Sequence, residues 1–319
     1  MIPRRRKLIT DILYKLPKLS IALKIYNDAK RLRKTGYGYK RIRRILRQKY
    51  GNRTPTITTI RRWVLGLCKP LGYYNLTLHE KADLAYIIGA FLGDGTLTRR
   101  KKGRTCHYVV LTTKDYDFAI AFSIRMARAI SRKIVTPVWS KKRRYYVVRY
   151  SHIILYYMLK RIREDPFQIY DFIKKYPFDF LRGLYDAEGS VGSEKNHRIE
   201  CGMTNQKCIR LAMELLKANG YQPRSYKTKN KGKHKHVYKI VLSSLDDLIK
   251  FASEVGFNIR RKQRRLLYLI EALKVKKVTH SLPLFSSSFF KPQTVYTQSE
   301  MLVHFLAFIT GENVDRQGV

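Results

Sequence analysis

The feature that most constrains this chain is a short segment that occurs twice. Leu84 to Gly95 reads LAYIIGAFLGDG, and Phe178 to Gly189 reads FDFLRGLYDAEG. Each is an apolar stretch that ends in an acid followed by glycine. Gly89 and Gly93 are four residues apart, and Gly183 and Ala187 repeat that spacing. Residues four apart share one face of a helix. A face built only from Gly and Ala lets two helix backbones approach closely, because no side chains intervene. The pattern therefore predicts two helices packed side by side, delivering Asp94 and Glu188 to one spot. Gly95 and Gly189 are expected to end these helices in the left-handed conformation.

The order of elements after each acid also repeats, copy to copy: two strand-like segments, a helix, two more strand-like segments, then further helix. The intervening helices are expected over Asp115 to Ile130 and Gln206 to Asn219. Basic turns fall at 99–104 and 141–144 in the first copy, and at 193–198 and 229–235 in the second. The halves are placed at 77–176 and 177–275. Residues 1–76 differ, with 21 Lys and Arg against only Asp11 and Asp28. Helices are expected there over Ile21–Lys34, Tyr39–Tyr50 and Thr56–Leu65, with Gly36, Gly51 and Gly66 as stops. The tight turn between the last two resembles the helix-turn-helix modules of resolvases and transposases. Its third helix would carry Thr58, Thr59, Arg61 and Arg62 toward a major groove. Residues 276–319 read as an extended tail rich in Ser, Pro and Phe, with a short helix expected over Ser299–Ile309.

Charge narrows the partner. The chain holds 66 Lys and Arg against 23 Asp and Glu, a formal net charge of +43. So basic a chain repels itself unless a polyanion covers it, which points to nucleic acid. No apolar run approaches the ~20 residues of a transmembrane helix. The basic start is interrupted by Asp11, Lys15 and Lys18, which argues against a signal peptide. Cys68, Cys106, Cys201 and Cys208 show no CxxC pairing, and the eight histidines form no ligand-spaced group. These features argue against zinc and for reduced thiols in a cytoplasmic, nucleoid-associated protein of a prokaryotic or archaeal cell.

Two carboxylates at the negative ends of paired helices repel one another, and a cation relieves that repulsion. Hard oxygen donors suit Mg²⁺, which retains waters and binds phosphate. Such an ion can activate water and stabilise a leaving oxygen, the chemistry of phosphodiester hydrolysis.

The segments IIGAFLGDG (87–95) and LRGLYDAEG (181–189) resemble the paired signatures of the LAGLIDADG homing endonucleases of the two-motif, single-chain type. The resemblance implies an α+β fold of two pseudo-symmetric αββαββα halves forming a DNA-binding saddle, here preceded by a small all-α module. It implies a monomer that cuts both strands of a long, near-palindromic DNA site. Catalytic Mg²⁺, or another divalent ion such as Mn²⁺, would be held by Asp94 and Glu188, with the carbonyls of Gly93 and Ala187 as further ligands. The family's basic residue near the metal falls in IRRKQRRLLYLIEAL (259–273), making Arg260 or Lys262 the candidate, with no clear counterpart in the first half. DNA contacts are expected from Arg99, Arg100, Lys101, Arg104, Lys142, Arg143, Arg144 and Arg149 in the first half. In the second they are expected from Arg198, Lys227, Lys229, Lys231, Lys233 and Lys235. The sequence departs from the pattern at Leu92, where the second motif keeps an acid as Asp186, and at Glu188, which is one methylene longer than Asp. The competing reading is a non-cleaving nucleic-acid binder of the same fold, either a transcription regulator or an intron-RNA maturase.

Overall fold

The computed structural model describes residues 17–70, 78–79, 81–100, 106–193, 196–228 and 236–281. The first three helices are α1 (Pro17–Lys34), α2 (Tyr39–Tyr50) and α3 (Ile57–Val64). They share a small core of Ile25, Tyr26, Ala29, Ile42, Leu46, Ile60 and Trp63. In α2 only Ile42 and Leu46 are buried, so its many basic residues face outward. Tyr26 meets Trp63 edge-on, ring centroids 5.7 Å apart. Asp28 binds Lys49 at 2.8 Å, Tyr50 at 2.7 Å and Arg31 at 3.1 Å. Gly51 ends α2 with φ of 58°, a conformation that favours glycine. Thr56 caps α3 by accepting from the Thr59 N–H.

The predicted repeat is observed. The first half runs α4 (Ala82–Asp94), β1 (Gly95–Arg100), β2 (Cys106–Thr113), α5 (Tyr116–Ala129), β3 (Val138–Ser140), β4 (Tyr145–Ser151) and α6 (Ile153–Glu164). A short helix α7 (Tyr170–Ile173) leads to the second half. There follow α8 (Pro177–Glu188), β5 (Gly189–Val191), β6 (Ile199–Met203), α9 (Gln206–Ala218), β7 (Arg224–Lys227), β8 (Tyr238–Leu242), α10 (Leu245–Glu254) and α11 (Arg260–Ser281). Each half builds a four-stranded sheet, in the orders β1-β2-β4-β3 and β5-β6-β8-β7, with every pairing antiparallel. Alternation along the strands buries Val109, Leu111 and Val148 beneath the first sheet and Ile199, Cys201, Ile240 and Leu242 beneath the second. All four cysteines are free thiols. The described residues up to Lys274 form one compact unit. No described helix is long and apolar enough to cross a membrane.

The two halves meet along α4 and α8. A Cβ built at Gly89 would lie 2.1 Å from the Phe180 carbonyl oxygen and 2.8 Å from the Leu184 nitrogen. A Cβ at Gly183 would lie 2.1 Å from the Tyr86 carbonyl oxygen and 2.9 Å from the Ala90 nitrogen. The reciprocity is a local twofold, and the backbones touch without side chains between them. At the opposite end from the acids, Arg125 ties the helices together. It bonds Asp179 at 3.0 Å, approaches Asp83 at 3.5 Å and lies 4.4 Å above the Tyr86 ring.

One expectation is corrected. Gly95 and Gly189 are extended, with φ of −75° and −77°, and neither occupies the left-handed region. Glycine is required there for a different reason. A Cβ at Gly95 would fall 2.7 Å from the Phe91 carbonyl oxygen, and one at Gly189 would fall 2.3 Å from that of Tyr185. Each strand leaves its helix against the last turn, which leaves no space for a side chain.

The backbone contact should dominate stability. Gly89→Ala and Gly183→Ala are each expected to destabilise by about 3 kcal/mol or more, since carbonyls must be pushed apart. Gly202→Ala meets only flexible side-chain atoms from 3.3 Å outward and should cost about 1 kcal/mol or less. Chemical denaturation of the three variants checks this. Equal losses would mean that the helix pair can relax.

Candidate functional site

The close approach of α4 and α8 decides where their last residues lie. A Cβ at Gly93 would be 2.5 Å from the Ala187 Cβ and 3.4 Å from the Glu188 carboxylate oxygen Oε1. Asp94 and Glu188 thus emerge side by side, both partly buried. Burial pushes the Asp94 carboxyl up to about 6, with Lys262 opposing that rise and Asp115 adding to it. Burial likewise raises Glu188, and the charge of Asp94 raises it further. The last carbonyls of a helix have no intrahelical partner, so Gly93 and Ala187 hold spare acceptors beside the two acids. Such a donor set consists of hard oxygens at two negative helix ends, and it fits Mg²⁺ or Mn²⁺ better than zinc. Among the described residues no cluster of three or more His, Cys, Asp or Glu is poised to hold a metal. An ion at the acid pair would therefore complete its shell with water, backbone and phosphate oxygens.

Of the two basic candidates, the structure brings Lys262 to the acids and leaves Arg260 outside. Lys262 is 8% exposed. Its Nζ donates to the carbonyl oxygens of Tyr185 at 3.1 Å and Asp186 at 2.6 Å. Burial lowers its pKa, while Asp186, Asp115 and Asp94 oppose that shift. The Arg260 side chain is 80% exposed and lies 3.8 Å from Asp117. Between them Arg261 grips Asp115 at 2.7 and 2.9 Å, which ties the start of α11 to the first half. Asp186, only 1% exposed, accepts from Tyr86 Oη at 2.7 Å, from the Asn258 N–H at 2.9 Å and from Asn258 Nδ2 at 2.7 Å. It thereby anchors the turn that precedes Lys262. Leu92, its partner by repeat, is buried and anchors nothing comparable.

The basic residues divide by strand register. Arg149 pairs with Val110 on the open face of the first sheet, its guanidinium 5.4 Å from the Tyr108 ring centroid. Arg99 is paired with His107, on the helix-covered side, and Arg100 with Cys106. Lys142, Arg143 and Arg144 are exposed in the turn before β4, and Arg143 bonds the Tyr145 hydroxyl at 2.8 Å. In the second sheet, Arg198 pairs with Glu200. Lys239 and the Tyr226 hydroxyl also bond Glu200, at 2.8 and 3.3 Å. Lys227 sits on the edge strand, 6.0 Å from the Tyr238 ring centroid. Lys101, Arg104, Lys229, Lys231, Lys233 and Lys235 lie outside the described residues. In α3, Thr58, Arg61 and Arg62 are exposed opposite Ile60 and Trp63, whereas the Thr59 N–H is taken up by the Thr56 cap. Sequence reasoning missed Asp115, Glu200, Lys239 and Asn258. Only Lys239 left a signal, as the one charged residue in the strand YKIVL.

The raised Asp94 pKa has a consequence for stability. Folding favours its protonated form. That stabilisation is complete below the ordinary value of 3.8 and is lost as pH rises through about 6. In metal-free protein, Asp94→Asn should raise the melting temperature more above pH 6 than near pH 4. Mg²⁺ should narrow the gap. A gain equal at both pH values would show that the ionised carboxylate carries no such cost.

Comparison with known proteins agrees with this architecture. The LAGLIDADG-like domain family matches the chain twice, over residues 81–163 and 175–256. An uncharacterised protein of Methanocaldococcus jannaschii, MJ0398, is 28% identical over 264 residues, covering 79% of this chain and 94% of its own. A second uncharacterised protein of that organism, MJ0314, is 28% identical over 166 residues, covering 49% of this chain and 61% of its own. Among solved structures, I-DmoI in complex with DNA and Mn is 25% identical, covering 56% of this chain and 97% of its own, with a TM-score of 0.44. Full-length WhiA from Thermatoga maritima is 14% identical, covering 73% of this chain and 68% of its own, also with a TM-score of 0.44. With both αββαββα halves matched, the chain belongs to the LAGLIDADG-like domain family.

Proposed function

We propose that this protein is a metal-dependent, site-specific endonuclease that cuts both strands of double-stranded DNA. The observation that carries the reading is the meeting of Asp94 and Glu188 at the ends of α4 and α8, with the buried Lys262 ammonium held at the adjoining carbonyls. Without a cation this arrangement is costly, because two partly buried carboxylates face each other at two negative helix termini. A function that loads a divalent ion there accounts for the cost. When bound, the ion lowers the pKa of an attacking water and stabilises the leaving oxygen. The chain's own groups do the rest. Asp94 and Glu188 orient the ion through hard oxygens, and the carbonyls of Gly93 and Ala187 extend that donor set. Lys262 holds a fixed positive charge where charge develops on the phosphate, at no reorganisation cost.

DNA would lie across the open faces of the two sheets, where Arg149, Arg198 and Lys239 project. Most such contacts bind phosphate and set register, and fewer read bases. The N-terminal helices would lengthen the footprint by setting Thr58, Arg61 and Arg62 into an adjacent groove, as a helix-turn-helix module does. A formal charge of +43 supports a long polyanionic partner.

Duplexes selected from a random library for binding provide the substrate for a test. With Mg²⁺ or Mn²⁺ the protein is expected to cut both strands of the selected site. Asp94→Ala and Glu188→Ala should each slow cutting more than about 100-fold while leaving affinity nearly unchanged. Tight binding with no cutting in either ion would instead establish a non-cleaving nucleic-acid binder. Removing residues 1–76 should weaken binding, with a salt slope shallower by about 0.9 per lost phosphate contact. Cutting at saturating protein should survive. Its loss would make the module part of the catalytic core.

A further inference from the structure

The open faces of the two sheets are not copies of one another. Gly95 pairs with Leu111 in the first sheet and Gly189 with Cys201 in the second, which fixes the equivalent positions. Val110 and Tyr108 therefore stand where the second sheet has Glu200 and Arg198. Thr112 pairs with Val147, and Gly202 with Lys239, so Val147 stands where the second sheet has Lys239. Arg149, opposite Val110, answers Val241, opposite Glu200. At these positions the first face offers two valines, a tyrosine and an arginine. The second offers an acid held between two cations.

An acid is costly on a surface that meets phosphates, because like charges repel. Glu200 is only 9% exposed, and both of its carboxylate oxygens are taken. Oε1 lies against Arg198 Nε and accepts from the Tyr226 hydroxyl at 3.3 Å. Oε2 accepts from Lys239 Nζ at 2.8 Å. Burial works against the charge of Glu200, but Lys239, Arg198 and Tyr226 outweigh it and hold the carboxyl below its ordinary value. Both cations keep outward surface, their side chains being 39% exposed for Arg198 and 30% for Lys239. Among the described residues neither pairs with another carboxylate. Held at Nε, the Arg198 guanidinium keeps its two terminal Nη groups, the pair that reaches guanine O6 and N7.

A lysine or arginine left free on this face would bind any phosphate, which adds affinity without sequence information. Glu200 competes with phosphate for both cations. A guanine edge that meets Arg198 in place does not require the ion pair to break. Specificity is a difference of affinities, so weakening the wrong complex raises it as surely as strengthening the right one.

We infer that Glu200 is a specificity-determining residue, which holds Arg198 for a guanine of the second half-site and keeps Arg198 and Lys239 from phosphates elsewhere. Val110 stands at the matching place, so the first half-site lacks this device and the target is unequal at that base pair. The inference rests on the DNA-binding part of the reading above and is independent of cutting.

The test measures binding by the full chain without divalent ions, so that cutting plays no part. The duplexes are the selected site, the same site with each base pair changed in turn, and random-sequence DNA. Glu200→Ala is expected to tighten binding to random DNA, with a salt slope steeper by about 0.9 for each cation released to phosphate. Its discrimination at one G·C pair of the second half-site should fall roughly tenfold or more, with preferences in the first half-site unchanged. Arg198→Ala should erase the same preference, and the double variant should lose no more of it than either single one. A misfolded protein would bind all DNA more weakly, so tighter random binding separates positioning from damage. If Glu200→Ala keeps the parent's discrimination, the inference is overturned while site-specific binding stands. It is equally overturned if Glu200→Ala loses the preference and Arg198→Ala keeps it, which would make Glu200 itself the base reader. Should Glu200→Ala melt well below the parent protein, the isosteric Glu200→Gln decides by the same two readouts. A parent protein that selects no sequence defeats site-specific binding and this inference together.

Discussion

Everything at the candidate site depends on two glycines that let two helices touch. Gly89 rests against the carbonyl of Phe180, and Gly183 against that of Tyr86. Any side chain at either place would separate α4 from α8 by the width of that group. The last turns of both helices would then diverge, and Asp94 and Glu188 with them. The contact is also what makes one body of two halves, since Phe180, Leu181, Leu184, Ile87, Ile88 and Phe91 bury their side chains around it in a shared core. Stability and site geometry therefore come from the same few backbone atoms.

The helix pair carries acids at both ends, and the physics of the two ends is opposite. Asp83 and Asp179 lie in the first turns, where the helix dipole favours negative charge, and Arg125 bridges them. That end is electrostatically satisfied. Asp94 and Glu188 lie in the last turns, where the dipole disfavours them, and burial raises both pKa values. Lys262 offsets part of this penalty, while its own pKa is lowered by burial. The chain keeps an unfavourable charge arrangement at one end of this closely packed helix pair, which is where a cation-dependent function would place it.

Pseudo-symmetry is kept in the backbone and broken in the side chains. Asp186 ties down Asn258, and through that turn it fixes Lys262 beside the acids. Leu92 stands at the equivalent place and can form no such bond. On the open face of the second sheet, Glu200 gathers Arg198, Lys239 and Tyr226 into one cluster. Among the described residues the first sheet has no acid in the equivalent position.

The repeat, the order of its strands and helices, the small-residue face and the two acids were all legible in the sequence. These are local patterns of period and spacing, and each element states its own pattern without its neighbours. The expectation of a nucleic-acid partner rests equally on the sequence, because +43 is a property of composition. Three-dimensional packing decided the remainder. Arg260 and Lys262 are two residues apart, and only the docking of α11 buries one and exposes the other. Gly95 and Gly189 looked like left-handed helix stops, yet they are extended, because the constraint on them is crowding against Phe91 and Tyr185. Glu200 and Asp115 come from segments with no recognisable motif. They gain meaning from contacts spanning 39 and 146 residues of chain, and a contact of that range leaves no trace in local sequence periodicity.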